Sequence, residues 1–209
     1  MPTGPFCHTP PPATASVIGR RRAFEVARHD PAEARRIARQ IPDAWYRVQA
    51  LANVAEAAPD ERMLLSVLEE AARESTRCHD AYGTVAVMAW PIAVALRRGI
   101  RAFAERERER CLDLAAMVEP HNSRAYALEV LWTACHVADP AFARPIWERA
   151  RALCHPDRCW RAARLWRHVA EALEEQRPGA GGSIIQAMPE GKARRRLERR
   201  YWPALRDGT

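Results

Sequence analysis

The chain lacks the short signatures of common catalytic and cofactor-binding sites. Its 209 residues contain no HExxH, GxSxG, GxxxxGK[ST] or GxGxxG pattern, and no CxxC spacing typical of zinc or redox sites. The stretch GAGGS at 179–183 lacks the lysine of a phosphate-binding loop. We therefore expect a protein that is not an enzyme, with no catalytic residues, no cofactor and no metal.

A metal site built from cysteine and histidine stays open at this stage. Four of the six cysteines directly precede a histidine, namely Cys7, Cys78, Cys135 and Cys154. Neighbouring residues point about 100° apart on a helix, so two such pairs would have to converge in space to hold a metal. Reduced packing residues are the favoured interpretation.

The chain also lacks a long apolar run. The longest uncharged run, 81–96, is shorter than the about 20 residues of a membrane span and contains Gly83 and Pro91. The first fifteen residues are rich in proline and have no apolar centre, unlike a signal peptide. We expect 81–96 to be a buried helix, no membrane contact, and a cytoplasmic location.

Only 9 glycines and 4 phenylalanines are present, whereas alanine and arginine abound, which favours helix over sheet. Residue pairs such as Asp30-Pro31 and Asp139-Pro140 are typical helix starts. Helices are predicted near 20–28, 31–41, 43–57, 60–78, 80–98, 101–118, 122–138, 140–154, 157–176 and 189–202. The predicted organisation is a mobile Pro-rich leader at 1–19, a helical body at 20–176, a Gly/Pro linker at 177–188 and a basic C-terminal helix and tail at 189–209.

The helices repeat when the sequence is shifted by 37, 40 and again 37 residues. The repeat aligns four groups of residues: Asp43 with Asp80, Pro120 and Asp157; Arg47 with Thr84, Arg124 and Arg161; Leu51 with Met88, Leu128 and Leu165; and the small residues Ala38, Ser75, Ala115 and Ala152. One helix pair cannot bury its apolar stripe alone, so neighbouring pairs must stack. We predict an all-α, right-handed α-solenoid of four to five antiparallel helix pairs, and nearly complete burial of Leu51, Leu128 and Leu165.

These columns, and above all the segment IARQIPDAWYRVQALANVAEA from Ile37 to Ala57, resemble bacterial helical-hairpin repeats of the HEAT/TPR-like superfamily. The resemblance spans about residues 31–176. It lacks the fixed 34-residue period of tetratricopeptide repeats. It implies a scaffold that binds proteins or nucleic acids, without a catalytic motif.

Two sets of side chains within the helices are candidates for binding a partner. The column Arg47, Arg124 and Arg161 would line one ridge and bind phosphates or carboxylates. Helix-stabilising pairs Asp43–Arg47 and Asp157–Arg161 are the favoured interpretation of this column. Trp45 and Trp160 lie near helix starts where a ring could be exposed to a partner, although packing is the favoured interpretation for both. Trp90 and Trp132 are expected in the core.

The C-terminal segment is the third candidate, because a series of arginines is followed there by Tyr201 and Trp202. Its candidate residues are Arg194, Arg195, Arg196, Arg199, Arg200 and Trp202. This segment could bind nucleic acid or an acidic protein, or it could cap the last helix pair through Leu197, Tyr201 and Trp202. Capping is the favoured interpretation.

The net charge of +7 comes from the two ends, because residues 1–40 and 187–209 are basic and the middle is nearly neutral. We therefore predict a scaffold or adaptor that binds a protein on the concave face of the second helices. The alternative is a nucleic-acid-binding HEAT-like repeat protein that uses the arginine ridge and the basic termini. The identity of the partner, the pathway and the oligomeric state are not determined by the sequence.

Overall fold

The computed structural model describes residues 12–202, and within this range all regular structure is helical, with no strand. The prediction of an all-α fold is confirmed. The helices are α1 (Pro12–Ala27), α2 (Pro31–Arg39), α3 (Ala44–Glu56), α4 (Glu61–Ser75), α5 (Ala81–Arg97), α6 (Arg101–Met117), α7 (His121–Ala138), α8 (Pro140–Leu153), α9 (Trp160–Gln176), α10 (Gly182–Ala187) and α11 (Lys192–Tyr201).

Aspartates cap the starts of five of the eleven helices in the described range. In α2, α3, α4, α5 and α8 the carboxylate of the residue before the helix accepts a hydrogen bond from a backbone N–H of the first turn; these residues are Asp30, Asp43, Asp60, Asp80 and Asp139. Such a cap stabilises a helix by about 1 kcal/mol. The predicted starts at these five aspartates are confirmed.

The predicted start of α9 is wrong by a few residues. Asp157 bonds to the ring of His155 rather than capping the helix, and α9 begins at Trp160 after Cys159. The loop from 154 to 159 is consequently longer than the loop from 40 to 43. A constant sequence shift therefore no longer aligns equivalent residues in the fourth helix pair of the predicted repeat. There Ala150 is buried, whereas Ala152, which the shift aligns with Ala115, is exposed.

The odd-numbered helices pack side by side in chain order. Within the described residues α1 contacts α3, α3 contacts α5, α5 contacts α7, and α7 contacts α9. Each of α1, α3, α5 and α7 also packs against the even-numbered helix that follows it, while α10 and α11 pack on α9. Leu51, Leu128 and Leu165 are 0% exposed, as predicted.

Helix α5 is the most buried helix of the array, which confirms the prediction for 81–96. Nearly all its residues from Gly83 to Ala95 are buried, with Trp90 as the exception. No helix in the described range is long and apolar enough to cross a membrane.

Both ends of the helical body differ from the prediction. Helix α1 begins at Pro12, so residues 12–19 are helical rather than part of a leader, and residues 1–11 lie outside the described range. Proline is tolerated at a first helical position, which is why the proline-rich composition gave the wrong boundary. Ser16 is fully buried in this helix, and Gly19 lies directly against Ile41.

The predicted linker at 177–188 is an ordered turn followed by α10. The buried carboxylate of Glu174 accepts hydrogen bonds from the backbone N–H groups of Gly179, at 2.8 Å, and Gly181, at 2.9 Å. A Cβ at Gly181 would lie 2.5 Å from the carbonyl oxygen of Ala170, so only glycine fits there. Glycine in this stretch therefore reflects close packing, and Ile184 and Ile185 are buried after it.

Candidate binding groove

A groove of about 680 Å³ crosses α3, α5, α7 and α9 on their shared face. We call it the central groove. Its apolar surface comes from short alanines on α3, α5 and α7, and from larger side chains on α5 and α7: Trp90, Val94, Val130 and Val137. Trp90 is 38% exposed and Val137 78% exposed, so two large apolar side chains face solvent along one groove. The four helices that form it are the second helices of the predicted pairs.

The charged groups of the central groove are paired with one another. Arg97 on α5 binds Glu56 on α3, and Arg164 on α9 binds Glu129 on α7 at 2.6 Å. The ring nitrogen Nδ1 of His168 lies 2.6 Å from the same Glu129 carboxylate, which is 4% exposed. The groove is therefore close to neutral, and its ion pairs connect neighbouring odd-numbered helices.

An aromatic ladder runs along the groove's edge, towards the helix N-termini. It consists of Trp90, Trp45, Tyr82, Tyr126 and Trp160. Trp90 meets Trp45 edge-on at 6.1 Å between ring centroids, and Trp45 stacks on Tyr82 at 6.2 Å. Tyr82 stacks on Tyr126 at 6.2 Å, and Tyr126 is joined to Trp160 through the guanidinium of Arg161. The ladder therefore spans α3, α5, α7 and α9, and Trp90 and Tyr126 also line the groove.

The structure separates the three arginines of the predicted column. Arg47 donates to the carbonyl oxygen of Ile41 at 2.9 Å and forms an ion pair with Glu74. Arg124 is 8% exposed and donates to the carbonyl oxygen of Val118 at 3.0 Å. Arg47 thus connects the loop before α3 to Glu74 on α4. Arg124 holds the loop before α7 through a backbone carbonyl.

The helix-stabilising pairs proposed for this column do not form among the described residues. Asp43 caps α3, and Arg47 bonds across to α4. Arg161 lies 4.4 Å from the ring centroid of Tyr126 and 5.1 Å from that of Trp160. Within residues 12–202 it has no hydrogen bond and no ion pair, unlike Arg47 and Arg124.

The tryptophans follow the prediction only in part. Trp132 is 4% exposed and lies in the core as predicted, and Trp160 is 59% exposed. Trp45 is half-buried in the ladder. Trp90 was expected in the core but lies in the groove, because it is the one exposed residue between Gly83 and Ala95 of α5. Trp90, Tyr82, Tyr126 and Val137 were missed by the sequence analysis, since an apolar residue on a helical stripe gives no sign of whether another helix will cover it.

The C-terminal candidates divide into packed and exposed side chains. Arg194 binds Glu198 at 2.7 Å, and Arg200 binds Glu175 at 3.1 Å. Trp202 packs against the core beside Gly182, and Leu197 is 0% exposed. The side chains that point to solvent without an ion pair to another described residue are Arg195, Arg196 and Arg199.

The described cysteines do not meet in a metal site. No group of three or more His, Cys, Asp or Glu residues with metal-binding geometry occurs in the part of the chain that the structure describes, and Cys7 and His8 lie outside it. Burial raises the pKa of the Cys111 and Cys154 thiols to about 12 and that of Cys78 to about 11. These thiols are therefore protonated at neutral pH.

A second cleft, of about 960 Å³, lies between α8 and the α9–α10 turn. Its inner wall contains the buried rings of Trp132 and Trp147, and its rim carries the long polar side chains of Arg144, Arg151 and Arg177. The large apolar side chains that line this cleft are buried or half-buried, whereas the central groove exposes Trp90 and Val137.

Comparison of the chain with models of known protein families, with curated proteins and with solved structures found no match.

Proposed function

We propose that the chain is a right-handed α-solenoid of stacked helix pairs that works as a protein-binding scaffold, with the central groove as its binding surface. The observation that carries this proposal is the exposure of Trp90 and Val137 within one groove whose charges are already paired. Exposed large apolar side chains in a concave surface are typical of sites that bind another protein.

The proposed ligand is a segment of a partner protein that brings apolar side chains. The groove crosses four helices, so an extended or helical segment of several residues would contact all of them in succession. Exposed apolar area buried by the partner contributes about 25 cal/mol per Å². The aromatic ladder provides a rigid wall along one side, which limits the conformational entropy lost on binding.

Nucleic acid is disfavoured as the ligand of the central groove. Glu56 and Glu129 lie in the groove and would repel phosphates. Arg47 and Arg124, which would have formed a phosphate-binding ridge, are bonded to backbone carbonyls and to glutamates.

The proposal is tested with a charge placed in the groove. Val137→Glu would put an unpaired carboxylate on the apolar surface and leave the fold intact, because Val137 is 78% exposed. Met117→Glu is the matched control, since Met117 is an apolar residue on α6, outside the groove, and is 66% exposed.

A photo-crosslinking amino acid is placed at position 137 or at position 117, and crosslinking is carried out in nuclease-treated lysate of the source organism.

We expect discrete protein adducts from position 137 and not from position 117. In pull-downs from the same lysate, the Met117→Glu protein should recover the crosslinked proteins and the Val137→Glu protein should not. Equal adducts from both positions, or equal recovery by both glutamate variants, would show that the groove is not the binding surface.

A further inference from the structure

We infer that Arg161 is a carboxylate receptor at the edge of the central groove, so that the partner segment carries an aspartate or glutamate beside its apolar anchors. This inference rests on the proposed function and specifies its partner. It assigns a charge requirement to a binding surface that is otherwise neutral.

The surroundings of Arg161 differ from those of the other arginines on this face. Arg164 is paired with Glu129, and Arg97 with Glu56. Arg161 and Arg164 both lie over the rings of Tyr126 and Trp160, but Arg161 lies closer to both rings and has no hydrogen bond or ion pair to any residue from 12 to 202. Its charge is held in place by packing while its N–H groups stay available.

The aromatic contacts suit this role. A guanidinium stacked on two rings is oriented without using its N–H donors, which lie in the plane of the group. Such an arrangement presents a planar fork that matches a carboxylate with two parallel hydrogen bonds. Trp160 is 59% exposed beside it and offers apolar surface to the partner's neighbouring side chain.

Arg161 also adjoins the groove directly. Tyr126 lines the groove and carries the Arg161 guanidinium 4.4 Å from its ring centroid. A segment that crosses the groove from α3 and α5 to α9 would pass Tyr126 on α7 and would therefore reach Arg161 on α9 at the end of its path. One carboxylate there would bind Arg161 without displacing an acidic side chain among residues 12–202.

The test uses a phage-displayed random twelve-residue peptide library selected on the full chain. Selected peptides are then measured by fluorescence anisotropy against four proteins: wild type, Arg161→Met, Val137→Glu and Arg158→Met. Arg158 is the matched control, because it is an exposed arginine just before α9 and lies outside the aromatic ladder. Each peptide is also made with its acidic residue changed to the corresponding amide.

We expect binding peptides to share an acidic residue. Affinity should fall about tenfold with Arg161→Met or with the amide peptide, and combining the two changes should cost little more than either alone, since both remove the same charged hydrogen bonds. Arg158→Met should bind like wild type. Thermal unfolding of Arg161→Met at the wild-type temperature would establish that the effect on binding is local.

Other outcomes overturn the inference in distinguishable ways. Peptides that fail to bind Val137→Glu but bind Arg161→Met and wild type equally would leave the groove proposal standing and remove Arg161 from it. An absence of any peptide sensitive to Val137→Glu would overturn both. Binding of a fluorescein-labelled twelve-nucleotide oligo-dT that depends on Arg161 would assign the site to phosphate instead.

Discussion

At the scale of single residues, buried glutamates connect helices that are distant in sequence. Glu70 on α4 is 8% exposed and accepts hydrogen bonds from Arg35 at 2.7 Å and Arg39 at 2.6 Å, both on α2. Burial, the largest single effect, opposes ionisation of Glu70, but the hydrogen bonds and charges of Arg39 and Arg35 together outweigh it. The pKa of Glu70 is therefore lowered from its ordinary value of 4.5.

This lowered pKa predicts how a substitution at Glu70 depends on pH. The stability that the ionised Glu70 contributes is fully present above pH 4.5 and is lost as the pH falls through the lowered pKa of the folded state. Glu70→Gln should reduce the free energy of unfolding by about 1–3 kcal/mol at pH 7. The difference between variant and wild type should shrink at pH 3, as measured by urea unfolding at both pH values.

Glu25→Gln is the control, since Glu25 pairs only with the exposed Arg21 within α1 among the described residues. It should change stability by less than about 0.5 kcal/mol at either pH. A destabilisation by Glu70→Gln that is equal at pH 7 and pH 3 would mean that the ionised carboxylate is not the stabilising form.

At the scale of helices, α11 closes the array. Leu197 is fully buried, and Tyr201 and Trp202 pack against the core, as the capping interpretation of the sequence predicted. Leu197→Ala should therefore lower the melting temperature by roughly 5–15 °C. Circular dichroism at 222 nm during heating measures this shift.

The exposed arginines of the same helix provide the matched control. The combined variant Arg195→Gln, Arg196→Gln and Arg199→Gln removes charge and leaves the buried side chains of α11 unchanged. Its melting temperature should stay within about 2 °C of wild type. A larger decrease in this variant than in Leu197→Ala would show that α11 is held by its charges rather than by its apolar face.

The helices and the groove differ in how far the sequence predicts them. Aspartate caps and helical periodicity are local, so the starts at Asp30, Asp60 and Asp80 follow from the sequence. The absence of an ion pair at Arg161 among the described residues does not follow from the sequence, because it depends on which acidic residues the fold brings near. Glu74, 27 residues away in sequence, pairs with Arg47, and no acid among the described residues does the same for Arg161. The exposure of Trp90 depends in the same way on neighbours that only the packing of α3, α5 and α7 defines.

At the scale of the whole molecule, the positive charge lies outside the central groove. The net charge is +7, yet the charged residues of the groove are paired with one another. The exposed arginines without an ion pair to a described residue include Arg195, Arg196 and Arg199 on α11, at the far end of the array from α1. The molecule thus has a central groove that is close to neutral and an excess of basic residues towards both ends of the sequence.

This separation predicts weak nucleic-acid binding that is independent of the groove. A labelled 20-nucleotide single strand should bind with a dissociation constant weaker than about 10 μM at about 150 mM salt and more tightly at low salt, as counterion release requires. The combined variant Arg195→Gln, Arg196→Gln and Arg199→Gln should reduce the slope of log K against log salt by about 2, because each phosphate that is no longer neutralised accounts for about 0.7. Val137→Glu should leave this binding unchanged, because the groove takes no part in it. Tight binding at about 150 mM salt that Val137→Glu abolishes would instead make the central groove a nucleic-acid site, since a new carboxylate there repels phosphates as well as apolar side chains.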